Sequence, residues 1–193
     1  MKAIFPAAAL ALAYGAVFFY GGPWQNLSLE PAKLAAGELW RILTFSFAHM
    51  NAGHLAENAA GILVAGALAT ELKAKAAEFA AAYAAAALAP LPLALATGLQ
   101  FVGASSGVYG VFALVALEAQ GLGIAAWKSS GAVVGIIFFA SLAAFVACGL
   151  CQGFSTALRE GVGHFAGFSA GFAAVVVAGK ARHAARKRIF ETS

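Results

Sequence analysis

One stretch of the chain, residues 103–119, reads GASSGVYGVFALVALEA and carries a single charged residue, Glu118. Its length approaches the ~20 apolar residues that a helix needs to cross a bilayer. Two adjacent serines, Ser105 and Ser106, stand at its start, with Tyr109 one turn further on. Polar groups at the end of an apolar segment are costly in lipid, so this stretch predicts a membrane helix that carries a functional site.

The composition of the whole chain agrees with this prediction. Of the 193 residues, 62% are hydrophobic and 10% are charged, whereas a soluble domain carries about 25% charged residues. So few charges could not cover a water-facing surface, which means that lipid surrounds most of the chain. The net charge of +4 does not indicate a nucleic-acid partner, because five basic residues fall in one C-terminal run: Lys180, Arg182, Arg186, Lys187 and Arg188.

Six apolar segments predict an all-α membrane protein, a bundle of six transmembrane helices in a single domain. Helices are expected because a lipid-exposed backbone must satisfy its own hydrogen bonds. The first segment is expected to be retained, since Tyr20-Gly21-Gly22-Pro23 is a poor signal-peptide cleavage site. A long first loop covers residues 21–53, and a basic tail covers residues 180–193. The spans run roughly over residues 3–20, 54–72, 78–97, 103–119, 131–150 and 162–179.

The basic residues predict the orientation of the bundle. With a cytoplasmic N-terminus, most of the twelve basic residues lie inside, in agreement with the positive-inside rule. The exceptions are Lys33, Arg41 and Arg159. We therefore expect a multi-pass protein of the cell membrane (plasma or inner) with both termini in the cytoplasm.

Polar residues gather at the outer ends of three predicted spans. A serine and a histidine on neighbouring helices indicate a nucleophile and its general base. The chain contains no aspartate, so a Ser-His-Asp triad is excluded and a two-residue dyad is the simplest interpretation. An oxyanion would need hydrogen-bond donors, which His54 and Asn58, on one helix face, could provide together with the backbone N–H of Ser105. The residues concerned are His49, His54, Glu57, Asn58, Ser105, Ser106, Tyr109 and His164.

Other interpretations of these residues are weaker. A single membrane histidine is usually a packing residue. Here several polar groups lie at a similar depth on separate spans, which favours a functional site. A transporter or channel would spread its polar residues through the midplane. No metal or other cofactor is predicted, because no carboxylate or cysteine stands beside His164 to complete a metal site. Cys148 and Cys151 are interpreted as two small apolar residues, since no thioredoxin-like βαβ context surrounds them.

The motifs resemble those of the rhomboid family. The segment from His49 to Asn58 is similar to the rhomboid H-x4-H-x3-N motif, and Gly103-Ala104-Ser105 is similar to the G-x-S nucleophile motif. Further similarities are Gly107-Val108-Tyr109, His164-Phe165-Ala166-Gly167 and the Trp40-Arg41 pair of the first loop. The resemblance covers about residues 38–175.

This resemblance implies a six-helix rhomboid bundle and an intramembrane serine protease without a cofactor. It implies Ser105 as nucleophile, His164 as base, and His54 and Asn58 as oxyanion partners. It also implies that Tyr109 packs on the catalytic histidine, and that the fifth span with the loop before it gates entry. His49 would be structural. The implied partners are the lipid bilayer and transmembrane protein substrates, cut near the outer boundary. The alternative is a non-catalytic rhomboid-like protein that binds membrane clients.

Two features depart from the family's pattern. Ser106 stands where many members have glycine, so it competes with Ser105 for the nucleophile position. Glu57 places a carboxylate beside Asn58; it either faces the loop and water or bonds to the first loop. Small residues on one helix face let helices approach closely in lipid, so one glycine strip on the sixth span is expected to face another on the fourth. These strips are Gly163, Gly167 and Gly171, and Gly107 and Gly110.

Overall fold

A computed structural model describes residues 2–121 and 161–178 of the chain. Within these ranges the backbone is helical apart from the connecting segments. Two isolated β-bridges pair Lys2 with Lys75 and Leu29 with Phe101. The predicted fifth span (131–150), the Cys148/Cys151 pair and the tail (180–193) lie outside the described residues.

The helices of the described ranges follow the predicted spans, with short helical turns in the first loop. Asn51 sets the start of the second span two residues earlier than predicted, because its side chain accepts a hydrogen bond of 2.8 Å from the backbone N–H of His54 and so caps the helix. The helices are α1 (Ile4–Tyr20), α2 (Pro31–Ala35), α3 (Arg41–Thr44), α4 (Ala52–Glu71), α5 (Ala76–Leu88), α6 (Pro90–Thr97), α7 (Ser105–Gly121) and α8 (Gly161–Ala178). A 3₁₀ turn covers Trp24–Asn26.

The predicted third span is divided into α5 and α6 at Ala89. This residue keeps a helical conformation, so the helical stretch continues from Ala76 to Thr97 over 22 residues. Pro90 has no backbone N–H to continue the helical hydrogen bonds, which explains the division.

Two described stretches, Ala76–Thr97 and Gly161–Ala178, are long and apolar enough to cross a membrane by length and composition. Two shorter apolar helices are Ile4–Tyr20 and Ser105–Ala119. The all-helical architecture agrees with the predicted fold class, and the count of six spans stays a prediction.

Small residues allow the helices to pack closely. Helix α7 packs on α4 and α5, and α1 packs on α4. A Cβ on Gly66 of α4 would overlap the Cβ of Ala7 on α1, and one on Gly61 would lie 3.0 Å from Val108 of α7. Close van der Waals contact of this kind is a main source of helix association in lipid.

Candidate active site

An open pocket of about 300 Å³ lies where the first loop meets the N-terminal ends of α7 and α8. The predicted nucleophile Ser105 and the predicted base His164 both line this pocket, although they come from different helices. The other lining residues are Phe45, Pro90, Phe101, Val102, Gly103, Ser106 and Gly163. The fold therefore brings the two chemically competent side chains to one cavity.

The two adjacent serines have different surroundings. Ser105 is the first residue of α7 and is partly exposed, whereas Ser106 is only 4% exposed. A Cβ on Gly167 of α8 would overlap the backbone of Ser106, so Ser106 lies at the helix–helix contact. The N–H of Ser105 belongs to the first turn of α7, where backbone donors have no partner within the helix and the helix dipole favours negative charge.

The segment before Ser105 is held by the first loop, a contact that the sequence did not predict. Leu29 and Phe101 exchange two backbone hydrogen bonds, of 2.8 and 2.9 Å, and the N–H of Gly103 donates to the carbonyl of Phe45 at 2.9 Å. The side chain of Gln100 also donates to the hydroxyl of Ser28 at 2.7 Å. The loop thus fixes the backbone immediately before Ser105.

Gly103 combines an unusual backbone conformation with close contact to His54. Its φ of +108° is one that residues with a side chain rarely adopt, which accounts for glycine here. A Cβ at this position would lie 2.5 Å from both Cε1 and Nε2 of His54. The imidazole of His54 therefore lies directly over the backbone that leads into Ser105, and the Gly-x-Ser spacing was the one sequence signal for this contact.

Arg41, of the Trp-Arg pair, holds the first loop together. Its side chain is 3% exposed, and its guanidinium donates to the carbonyls of Gln25 and Ser28 at 2.8 Å each. It also forms an ion pair of 2.6 Å with Glu38. A buried guanidinium needs such hydrogen bonds to offset its desolvation, so the loop's shape depends on this residue.

Asn58 lies near His54 but does not share the pocket. It is 5% exposed, and its side-chain N–H donates to the backbone carbonyl of His54, one turn earlier on α4, at 2.8 Å. Among the described residues, those that line the pocket include neither Asn58 nor His54. Glu57 is exposed on the same helix.

The rings of Tyr109 and His164 are stacked. Their centroids are 4.4 Å apart and their planes differ by 16°. Tyr109 lies one turn after Ser105 on α7, and His164 lies in the first turn of α8. The contact limits the orientation that the imidazole can adopt beside the pocket.

Glycines hold α7 and α8 together, although not all of them in the predicted way. Cβ atoms on Gly167 and Gly171 would overlap the backbones of Ser106 and Gly110, respectively. Gly163 instead faces the ring of Phe101 at 3.4 Å. The prediction that Gly107 opposes the last helix is wrong: its Cβ position points at Tyr83 of α5, 2.5 Å from the ring, because this face of α7 packs on α5.

A family model described as Rhomboid domain matches residues 36–181, which is about three quarters of the chain. No curated protein matches it.

Proposed function

The chain belongs to the rhomboid family, and from this premise we propose that it is an intramembrane serine protease with Ser105 as nucleophile and His164 as general base. Rhomboids are integral membrane proteins and typically intramembrane serine proteases, although non-catalytic homologues exist. The observation that carries the proposal is the shared pocket: Ser105 and His164 line one cavity, and His54 lies over Gly103 at its edge.

In the proposed reaction the Ser105 hydroxyl attacks the carbonyl carbon of a peptide bond while His164 takes its proton. His164 then gives that proton to the leaving amine, and the acyl group stays on Ser105. A water molecule, deprotonated by His164, attacks the acyl-enzyme, and His164 then returns the proton to the Ser105 oxygen as the acid is released. Each half-reaction passes through a tetrahedral oxyanion, which donors placed in advance would stabilise.

The proposed oxyanion donors are the backbone N–H of Ser105, the Nε2–H of His54 and a side-chain N–H of Asn58. The Ser105 N–H has a favourable place at the N-terminus of α7, and His54 is supported by its contact with Gly103. One hydrogen of the Asn58 amide goes to the carbonyl of His54, so Asn58 would act through its second hydrogen.

Tyr109 and Gly167 would position the base. Stacking on Tyr109 limits rotation of the His164 ring. Contact between Gly167 and the Ser106 backbone keeps α8 close to α7. Neither residue takes part in bond making, so both are positioning residues in this proposal.

The proposed substrates are transmembrane proteins that enter from the lipid bilayer and are cut near its outer boundary. Both termini of the chain would lie in the cytoplasm, as the distribution of basic residues predicts. Nucleic acid and metal ions have no part in the proposal.

Labelling with a fluorophosphonate probe tests the proposal directly. The purified protein in lipid should react with the probe, and mass spectrometry should find the modification on Ser105. A Ser105→Ala variant of unchanged melting temperature should not react. Modification of Ser106 instead would show that the nucleophile is Ser106, one residue later in the chain. A folded protein that neither reacts nor cleaves would favour the non-catalytic alternative.

The oxyanion donors lead to a separate prediction. His54→Ala and Asn58→Ala should each lower kcat for a model transmembrane substrate by about 10²–10³-fold, the usual effect of losing one donor. KM should change much less, because these groups act on charge that develops in the transition state. Ala60→Ser, an exposed and uncharged change on the same helix, is the control. Unchanged kcat in both alanine variants would remove His54 and Asn58 from the mechanism.

A further inference from the structure

Two histidine rings lie side by side behind the pocket, and the proposed mechanism uses one of them. The centroids of His49 and His54 are 5.1 Å apart, with an edge-to-face angle of 70°. His49 is 3% exposed and packs on Tyr14 of α1, with ring centroids 5.3 Å apart. The inference drawn below rests on the proposed function in one respect, because that function makes His54 an oxyanion donor.

The hydrogen bonding of His49 defines which of its nitrogens carries the proton. Its Nδ1 lies 3.1 Å from the carbonyl oxygen of Phe47. A carbonyl only accepts hydrogen bonds, so Nδ1 must donate. His49 lies in the loop before α4, where burial, and next the proximity of His54, lower its pKa to about 4 against the effect of the Phe47 carbonyl. The ring is therefore neutral at neutral pH, and Nε2 carries a lone pair.

The proposed role of His54 fixes its nitrogens in the complementary way. The Cβ position of Gly103 is 2.5 Å from Nε2 of His54 but 3.7 Å from Nδ1, so the Nε2 edge faces the segment that leads into Ser105. A neutral ring that donates from Nε2 has an acceptor lone pair at Nδ1.

Two buried acceptors thus require a donor. Nδ1 of His54 and Nε2 of His49 are both enclosed, and neither has a hydrogen-bond partner among the protein residues that the structure describes. Two lone pairs cannot satisfy each other, and a buried acceptor without a donor is destabilising. A group with two hydrogens to donate would satisfy both rings at once.

We infer that a buried water molecule lies between the rings and donates one hydrogen to Nε2 of His49 and the other to Nδ1 of His54. Buried water commonly links polar groups that the protein cannot pair. His49 also lines an open cavity of about 420 Å³ between the end of α1 and the first loop, with Phe18, Trp24 and Leu27 among its walls. In this proposal, water would reach the His49 ring from this cavity.

This bridge makes His49 a positioning residue for His54. Without an acceptor at Nε2 of His49, the shared water loses one of its two hydrogen-bond acceptors. His54 is then free to adopt the other tautomer, with its proton on Nδ1 and a lone pair on Nε2. A lone pair facing the oxyanion would repel it, so the bridge keeps His54 in the form that donates.

Solid-state NMR of nitrogen-15-histidine protein in phosphatidylcholine vesicles tests the bridge without any assay of activity. At about pH 7 we expect two neutral rings, with His49 protonated on Nδ1 and His54 on Nε2. Water protons should correlate with both unprotonated nitrogens, and single histidine substitutions supply the assignments. A proton on Nδ1 of His54, or a direct bond between the two rings, would overturn the inference whatever the protein catalyses.

A pair of variants tests the consequence for the proposed reaction. The side chain of His49→Asn can replace only Nδ1, whereas the longer His49→Gln places a polar group near Nε2. His49→Asn should lower kcat by about 10- to 100-fold, less than the 10²–10³-fold expected when an oxyanion donor itself is lost, with KM little changed. His49→Gln should recover most of that loss.

A merely structural role for His49 predicts a different result. Both variants would then lose activity in step with their melting temperatures, and the His54 spectrum would not change in either. That outcome, or full kcat in His49→Asn, contradicts the inference. Failure of the proposed function is recognised separately, either by cleavage that persists in Ser105→Ala or by a folded wild-type protein that does not cleave.

Discussion

Ser105→Ala is expected to abolish cleavage of a model transmembrane substrate, with a loss of about 10⁴-fold or more, as for removal of a serine nucleophile. The change deletes one hydroxyl from a partly exposed position at the pocket wall, so the fold should survive it. Cleavage is measured by gel or fluorescence assay in reconstituted vesicles. The melting temperature should stay within a few degrees of the wild-type value.

Ser106→Ala is the matched control because it removes the same group from the neighbouring residue. Ser106 contacts α8 through its backbone, beside Gly167, and alanine leaves that backbone in place. Its activity should remain close to that of the wild type. If Ser106→Ala is inactive and Ser105→Ala cleaves, the nucleophile is one residue further along the chain than proposed.

Gly167→Ala is expected to impair both activity and stability. A Cβ at this position would overlap the backbone of Ser106, which cannot rotate away as a side chain could. The helices α7 and α8 must then separate, at a cost of about 1–3 kcal/mol for overpacking. Because His164 lies on α8 and Ser105 on α7, a displacement of about 1 Å could lower kcat by about 10²-fold.

Ala173→Val is the control for this prediction. Ala173 lies on the same helix but is exposed in the structure, so a larger side chain meets no neighbouring backbone. Activity and melting temperature should stay near the wild-type values. Wild-type activity in Gly167→Ala would show that close contact between α7 and α8 is not needed for the dyad.

The sequence predicted that lipid surrounds most of the chain, and it singled out the residues of the candidate site. The low share of charged residues indicates that lipid surrounds the chain, and the length of the apolar segments predicts the helices. Ser105, His54 and His164 could be selected because polar groups are rare and costly in lipid. Their matching positions at the ends of separate spans predicted one site, and the structure places Ser105 and His164 in one pocket.

The tertiary structure alone decided which faces of these helices meet. A helix in lipid shows little contrast between its buried and exposed sides in composition, so the sequence could not tell that Gly107 faces Tyr83 while Gly167 faces Ser106. For the same reason the different surroundings of Ser105 and Ser106 were not predictable.

The contacts between the first loop and the site were also decided by the tertiary structure. Gly103 bonds to Phe45 and Phe101 bonds to Leu29 through backbone groups, and backbone groups are the same in every residue. The sequence marked Gly103 by its spacing from Ser105, but its positive φ and its contact with His54 arise from the folded chain. The hydrogen bond from Asn58 to the His54 carbonyl is a regular consequence of their spacing on one helix. The contact between the rings of His49 and His54 depends on the backbone path of the loop before α4. Helical periodicity does not predict such a path.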